Sequence, residues 1–252
     1  MKLESLVQYL DGYLGVADHP DYAPAVNGLQ VAGPERVETV ATAVDATLAS
    51  IGAAAEVGAD LLMVHHGLFW DGLRSISGRR YRRLKALFDA DLALYSVHLP
   101  LDAHPEVGNC ALLTDAVGLR REGRFGAYQG AEIGWWGTVP DPWTVETLEQ
   151  RVSTAVDGPV RILSGGPELI QRVAVLTGGG GSFVPQAAAE GMDAIVTGEA
   201  SHHTFFDAAE LGVHVVLAGH YATETFGVRA LGEHVAQRFG VQARFIDQPT
   251  GL

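Results

Sequence analysis

The sequence has a single cysteine, few basic residues and no long apolar run. Because Cys110 stands alone, an intrachain disulfide is impossible and a reducing compartment is the simplest expectation. The chain has 17 lysines and arginines against 30 acidic residues, and its net charge of -13 disfavours binding to nucleic acid or to anionic membranes. No stretch approaches the roughly 20 apolar residues that span a bilayer, and the N-terminus lacks the apolar core of a secretory signal. We therefore expect a cytoplasmic protein.

Apolar residues are plentiful, and they fall in a pattern typical of alternating strands and helices. They make up 47% of 252 residues, which is enough for one large domain or two small ones. The pattern predicts strands at 40–45, 60–66, 92–98, 131–139, 173–177, 193–197 and 213–218. It predicts helices at 50–57, 81–90, 108–117, 145–156, 185–190 and 223–239, and Gly118 is the expected end of the third. This alternation favours a layered α/β fold.

The chain also repeats its own plan. Residues 55–60 run into the strand at 61–66 much as 189–193 run into the strand at 194–199. The next strands close on His98 and His220, and each histidine is followed by an acidic residue four positions later, Asp102 and Glu224. We interpret this as an internal duplication, and the alternative is a chance similarity of two ordinary βα units.

Histidines and carboxylates follow three of the predicted strands. His65 and His66 end the strand in LLMVHHGLFW, Asp102 follows another in YSVHLPLDAH, and His220 and Glu224 lie in AGHYATE. In α/β sheets, ligands gather at the carboxyl ends of strands. Imidazole and carboxylate together suit Zn, Fe, Mn or Co. Three histidines and two carboxylates are more ligands than one closed zinc site takes. They are enough for two metals if one carboxylate bridges both metals. Alternatively, the histidine pair lies in an ordinary loop.

Six motifs make the sequence similar to a known family. They are VNGLQV at Val26–Val31, VHHGLFW at Val64–Trp70, HLPLDAHPEVGN at His98–Asn109, TGGGGSF at Thr177–Phe183, DAIVTGE at Asp193–Glu199 and GHYATE at Gly219–Glu224. In this order they resemble the dinuclear-metal-centre family of GTP cyclohydrolase 1 type 2 homologues. The resemblance covers essentially the whole chain, although the chain is too short for the large central insert of some members.

The resemblance implies a fold, a metal site and an assembly. The implied ligands of two divalent metal ions are His65, His66, Asp102, His220 and Glu224, with Glu224 bridging. Two similar α/β subdomains are implied, with the metal site between them at the carboxyl ends of the strands. We expect the first at 1–121, completed by 219–252, and the second at 122–218. A ring-shaped homohexamer with its sites facing an internal cavity is also implied.

The expected function is metal-dependent hydrolysis of a small molecule, because two metals activate water and polarise a substrate oxygen. The family name suggests a nucleotide or a pterin-type ring as substrate. The alternative is a metal-binding or metal-handling scaffold without turnover. An open coordination position beside a pocket would favour the enzyme, and saturated coordination would favour the scaffold.

Several further residues have two interpretations each. His98 and Glu199 are the candidate catalytic residues. His98 orients a ligand, touches substrate or is structural, and Glu199 acts near the site or caps the helix after it. His202 and His203 are expected at the surface or in contact with a metal ligand, and not as ligands themselves. The glycine-rich segment Thr177–Phe183 either cradles an anion or forms a tight turn.

Aromatic residues lead to two further expectations. Trp135, Trp136 and Trp143 lie between the two repeats and exceed what a small sheet hides, which favours an oligomer. Phe69 and Trp70 follow the histidine pair and could stack on a planar base, although packing in the core or between subunits is the simpler use.

Overall fold

The structure is a computed structural model that describes residues 1–70, 72 and 74–252. It divides into two compact units, unit 1 at Met1–Leu101 and Gly227–Gln248 and unit 2 at Asp102–Phe226 and Pro249–Leu252. The expected division placed residues 102–121 with the first unit, whereas their contacts group them with the second. The reason is that Leu113 packs into the core of unit 2. Among the described residues, no helix combines the length and the apolar character needed to cross a bilayer.

Unit 1 is built on a five-stranded sheet. Its strands are β1 (Gly28–Val31), β2 (Thr39–Asp45), β3 (Leu61–His66), β4 (Ala93–Ser96) and β11 (Gln242–Phe245), in the order β1-β4-β3-β2-β11. Its helices are α1 (Leu3–Leu14), α2 (Leu48–Glu56), α3 (Gly78–Asp89), the start of α4 (Leu99–Ala103) and the part of α9 (His220–Phe239) from Gly227 onward. All neighbouring strands are parallel except β1, which is antiparallel to β4.

Unit 2 is built on a six-stranded sheet. Its strands are β5 (Arg120–Tyr128), β6 (Ala131–Trp143), β7 (Arg161–Leu163), β8 (Ile170–Leu176), β9 (Ala194–Thr197) and β10 (His214–Leu217), in the order β5-β6-β8-β9-β10-β7. Its helices are α5 (Asn109–Val117), α6 (Val145–Val156), a short 3₁₀ helix at Gly180–Phe183, α7 (Val184–Ala189), α8 (Thr204–Leu211) and the first turns of α9. Strands β8, β9 and β10 are parallel to one another.

Local sequence explains where these elements begin and end. A capping box of Thr47 and Ser50 starts α2, and Gly118 ends α5 in the left-handed conformation, as predicted. Strand β3 is apolar without alternation because a parallel strand buries both of its faces. Every predicted strand and helix is present, so the α/β prediction is confirmed. Helix α9 begins earlier than expected, at His220.

The two sheets share one topology, which supports the duplication. In each sheet three parallel strands are followed by an antiparallel edge strand, β2-β3-β4-β1 in unit 1 and β8-β9-β10-β7 in unit 2. One carboxylate recurs at the same point. Asp60 Oδ2 accepts hydrogen bonds from the amides of Glu38 and Thr39, at 2.8 and 2.9 Å. Asp193 Oδ2 accepts two equivalent bonds, both at 2.8 Å.

The strand registers correct one detail of the repeat. Ser96 pairs with Val64 in unit 1, and Leu217 pairs with Thr197 in unit 2. Two residues further on, His98 therefore corresponds to Gly219 and not to His220. The repeated pattern of histidine and acid is therefore one position out of register between the two units.

The tryptophans are better covered than their composition suggested. Trp143 is buried in the core of unit 2. The guanidinium of Arg124 lies 4.4 Å from the ring centre of Trp135, and that of Arg172 lies 4.3 Å from Trp136. Stacked arginines of this kind cover aromatic surface within the chain. Trp143 is thus no part of an exposed patch, whereas Trp135 and Trp136 are half-buried.

Candidate metal centre

Three histidines of unit 1 meet at the carboxyl edge of its sheet. His65 and His66 are the last residues of β3, and His98 follows the neighbouring parallel strand β4. One ligand nitrogen of each lies within 4.8 Å of the others. Adjacent residues of a regular strand face opposite ways. Since β3 stops at His66, the two rings can turn toward the same place, and their centres are 4.7 Å apart.

The first two rings are held by the same nitrogen. His65 Nδ1 lies 3.0 Å from the carbonyl oxygen of Val97, and His66 Nδ1 lies 3.0 Å from Asp45 Oδ1. A carbonyl oxygen can only accept, so Nδ1 of His65 is the donor and its Nε2 carries the lone pair. This is the tautomer and orientation that metal-binding histidines take from their neighbours.

His98 is held in the same way by a small polar network. Its Nδ1 lies 2.8 Å from Asp21 Oδ1, and its backbone amide donates to Asn27 Oδ1 at 2.8 Å. Asn27 also donates to the other oxygen of Asp21. Burial by itself would raise the pKa of Asp21, but the hydrogen bond and charge of His98 lower that pKa below its usual value. The carboxylate is thus stabilised in its charged form beside the imidazole.

Unit 2 contains two buried carboxylates that lie close together. Asp102 Oδ1 accepts from Asn109 Nδ2 at 2.8 Å and from Thr177 Oγ1 at 3.0 Å. Glu224, on the first turns of α9, is only 3% exposed, and a carboxylate oxygen of each residue lies within 4.8 Å of the other. Two negative charges this close in a buried place are unfavourable unless a cation compensates them.

His220 lies between two carboxylates of the same unit. Its Nε2 is 3.1 Å from Glu224 Oε1, and its Nδ1 is 2.9 Å from Glu199 Oε1. The hydrogen bond to Glu224 raises the pKa of His220 to about 9 against the opposing effect of burial, and Glu199 adds to the rise. Glu199 occupies the position equivalent to His66, as expected, and it holds His220.

The glycine-rich segment Thr177–Phe183 packs closely against Glu224 and His220. Gly178 has a φ of +62°, and a methyl group there would overlap Glu224 Oε1 and lie 3.2 Å from His220 Nε2. The amides of Gly178 and Gly180 donate to the hydroxyls of Thr223 and Thr197. Because these two amides donate inside the fold, the structure favours the tight turn over an anion cradle.

The other histidines of these motifs have different tasks. His104 Nδ1 accepts from the amides of Glu106 and Val107 and so closes a turn. His202 and His203 are exposed, as expected. Sequence reasoning missed Asp21 and the role of Asp45 as orienting residues. Asp45 had a signal, because it ends the strand beside β3, whereas Asp21 lies in a loop without any pattern.

The donor chemistry fits a divalent metal of the borderline group. All candidate donors are imidazole nitrogens or carboxylate oxygens, a set that suits Zn, Fe, Mn or Co. The single thiol takes no part, since Cys110 is buried and contacts the hydroxyl of Thr177. Burial, aided by the charge of Asp102, raises the pKa of Cys110 to about 12. The described residues thus include groups that can bind metal ions.

Comparison with known proteins agrees with the motifs. The chain is 48% identical over its full length to the complete GTP cyclohydrolase 1 type 2 homolog of Halobacterium salinarum, and 42% identical to that of Escherichia coli over 99% of both chains. The solved structure of protein ybgI, described as of unknown function, has a TM-score of 0.93 at 40% identity over both full chains.

More distant relatives share the fold. TTHA1606 from Thermus thermophilus has a TM-score of 0.91 at 39% identity, over 100% of both chains. Reduced HcgD from Methanocaldococcus jannaschii has 0.85 at 26% identity, over 98% of each. The profile of the family Duf34/NIF3 (NGG1p interacting factor 3) matches residues 1–251. The chain therefore belongs to the Duf34/NIF3 family, together with the GTP cyclohydrolase 1 type 2 homologues that its motifs resemble.

Proposed function

We propose that the chain binds two divalent metal ions and uses them to hydrolyse a small molecule. The proposed ligands are His65, His66, Asp102, His220 and Glu224. The observation that carries the proposal is the common orientation of the histidines of unit 1, which all meet an oxygen acceptor through Nδ1 and gather their ligand atoms within 4.8 Å. In metal sites, a neighbouring acceptor commonly holds each histidine through the ring nitrogen that does not bind the metal. These three rings are all held through Nδ1 in this way.

Glu224 is the proposed bridging ligand. Its carboxylate is buried, contacts His220 and lies close to a second buried carboxylate, that of Asp102. A bridging carboxylate offsets part of the charge of two cations at once, and those cations in turn relieve the repulsion between the two acids. The metal is drawn from Zn, Fe, Mn and Co, which this donor set suits.

Bound metals would supply Lewis-acid activation of a water molecule and of a substrate oxygen. The protein's own residues would orient the ligands and move the proton. Asp45 fixes the ring of His66, and Glu199 fixes that of His220. His98 is the proposed acid–base residue, because Asp21 holds its Nδ1 and its ring lies beside those of His65 and His66.

The name of the curated relatives points to a nucleotide or a pterin-type ring as the substrate, and we propose a small molecule of this kind. We further propose a cytoplasmic homohexamer. That assembly rests on the family resemblance alone, because Trp143 is buried within the chain and Trp135 and Trp136 are half-buried. Light scattering tests it, and a stable particle of 26.7 kDa at micromolar concentration would contradict it.

Elemental analysis of protein purified without added metal or chelator tests the metal proposal. Wild type should carry two metal ions per chain, and Glu224→Ala should lose at least one while circular dichroism shows an intact fold. His202→Ala is the matched control, since this exposed histidine should leave the metal content unchanged. Two metals retained in Glu224→Ala would contradict the bridge.

A screen over nucleotides and small amides tests the hydrolase. His98→Gln should keep both metals and lose turnover of any substrate found, whereas metal loss in this variant would make His98 a ligand. The competing function is a metal-handling scaffold. A wild-type protein that holds two metals, hydrolyses nothing in the screen and releases its metals readily to an acceptor would support the scaffold.

A further inference from the structure

A second cluster of charged residues lies in unit 1, beside the histidines. A cavity of about 330 Å³ opens between the loop that follows β3 and the start of α3. Gly67 and Trp70 line one side of it, and Arg79, Arg80 and Arg83 line the other. None of its described lining residues is acidic. In a chain with a net charge of -13, such a concentration of arginine favours the binding of an anion.

Arg83 is held where its charge is poorly compensated. It is half-buried, and its Nε has no hydrogen-bond partner among the described residues. Burial lowers the pKa of Arg83, the positive charge of Arg79 lowers it further, and Asp45 opposes the shift. Asp45 already accepts the hydrogen bond of His66. Two like charges held together at the wall of a cavity are stabilised when an anion binds there.

The start of α3 points to the same kind of ligand. The side chain of its N-cap residue Ser77 makes no hydrogen bond that caps the helix, and its first turn contains Arg79 and Arg80 but no acidic residue. Positive side chains in the first turn oppose the helix dipole, so this arrangement is unfavourable for the helix alone. An anion in the cavity would be attracted both by the guanidinium groups and by the first turn.

Trp70 connects this cavity to the histidine cluster. Its indole lines the cavity, and its Nε1 donates to the carbonyl of Gly67, the residue that follows His66. The same ring meets His98 edge-on, with centres 4.7 Å apart, and it lies 5.7 Å from the ring of His66. A ligand seated among the arginines would therefore reach the histidines past a single aromatic side chain.

We infer that Arg79, Arg80 and Arg83 bind a phosphate group of the substrate, which is thus a phosphorylated small molecule. The inference deepens the proposed function, since it names the substrate class of the same site. Guanidinium groups suit this ligand because their planar forks bind two oxygens of a phosphate at once.

Binding to the metal-stripped full-length protein tests the inference without any activity. Isothermal titration calorimetry with inorganic pyrophosphate should show binding to wild type. The double variant Arg79→Gln, Arg83→Gln should weaken it by about tenfold or more, as expected for the loss of charge-assisted hydrogen bonds. The matched control is Arg82→Gln with Lys85→Gln, which removes the same charge from the same helix outside the cavity lining. Its affinity should stay within about twofold of wild type, since exposed charges at a distance are screened.

Two results would overturn the inference: no binding of pyrophosphate to wild type, or an equal loss in both double variants, which would mean diffuse attraction. If Arg83→Gln disturbs the fold, the single variant Arg79→Gln decides instead, because Arg79 is exposed. Comparing orthophosphate, a nucleoside monophosphate and the matching nucleoside identifies the source of the phosphate. The nucleoside should bind more weakly than its monophosphate, and equal affinity would also overturn the inference.

Metal content separates this inference from the proposed function. Arg79→Gln, Arg83→Gln should retain the wild-type number of metal ions. A protein that binds pyrophosphate when stripped but never takes up metal would refute the proposed hydrolase and leave the phosphate site standing.

Discussion

Replacing Gly178 by alanine should destabilise the protein and impair metal binding together. Gly178 has a φ of +62°, where a side chain is strained by about 1–2 kcal/mol. The added methyl would also displace the buried Glu224 carboxylate and so break its contact with His220. The loss of a hydrogen bond between charged groups adds about 1.5–3 kcal/mol. We therefore expect the free energy of unfolding to fall by about 2.5–5 kcal/mol.

Gly191→Ala is the matched control for this prediction. Gly191 lies in the same unit with a φ of +70°, and a methyl there meets no atom within 4 Å. It should lose only the strain of about 1–2 kcal/mol. Urea unfolding of the metal-free proteins measures both losses, and elemental analysis gives the metals retained. If both variants lose equal stability and Gly178→Ala keeps its metals, the close approach of Gly178 to Glu224 does not support the site.

Two further predictions concern Cys110 and the repeated aspartates. With a pKa of about 12, roughly one Cys110 thiol in ten thousand is ionised at pH 8. A thiol reagent should therefore label the native protein very slowly and the urea-unfolded protein fully. Rapid stoichiometric labelling of the native state would contradict the burial of Cys110. Asp60→Ala and Asp193→Ala should each lower the free energy of unfolding by a similar amount, about 1–3 kcal/mol, because each removes a charged acceptor of two amides. A loss at only one of the two positions, measured by urea unfolding, would argue against their equivalence.

The sequence predicted the inner strands of the two sheets better than the strands at their edges. Apolar runs such as Leu61–His66 indicate a buried parallel strand, and each predicted strand is present. Strands β1, β5, β7 and β11, which are the edge strands of the two sheets, were missed. In β11 the side chains alternate between exposed and half-buried and include Gln242 and Arg244, so the segment reads as a polar loop. An edge strand takes its conformation from the neighbour with which it pairs, and that neighbour is remote in sequence.

The residues of the candidate site were likewise predicted only in part. Ligand-type residues were visible because histidines and carboxylates follow several predicted strands, and parallel strands bring their carboxyl ends to one edge. The residues that orient them were not visible, because Asp21 acts on His98 from a loop 77 positions away. The repeat predicted the position of Glu199 and misjudged that of His220 by one residue, because sequence similarity cannot fix a β register.

The route of the chain through unit 1 has a consequence for its synthesis. Strand β11 pairs with β2, and the two partners lie at opposite ends of the sequence. Until Gln242–Phe245 emerge from the ribosome, the mostly buried strand β2 is an open sheet edge. Open apolar edges attract strands of other chains. The N-terminal part of unit 1 must therefore remain exposed to mispairing while Asp102–Phe226 of unit 2 are being made, and its sheet is complete only when β11 has been synthesised.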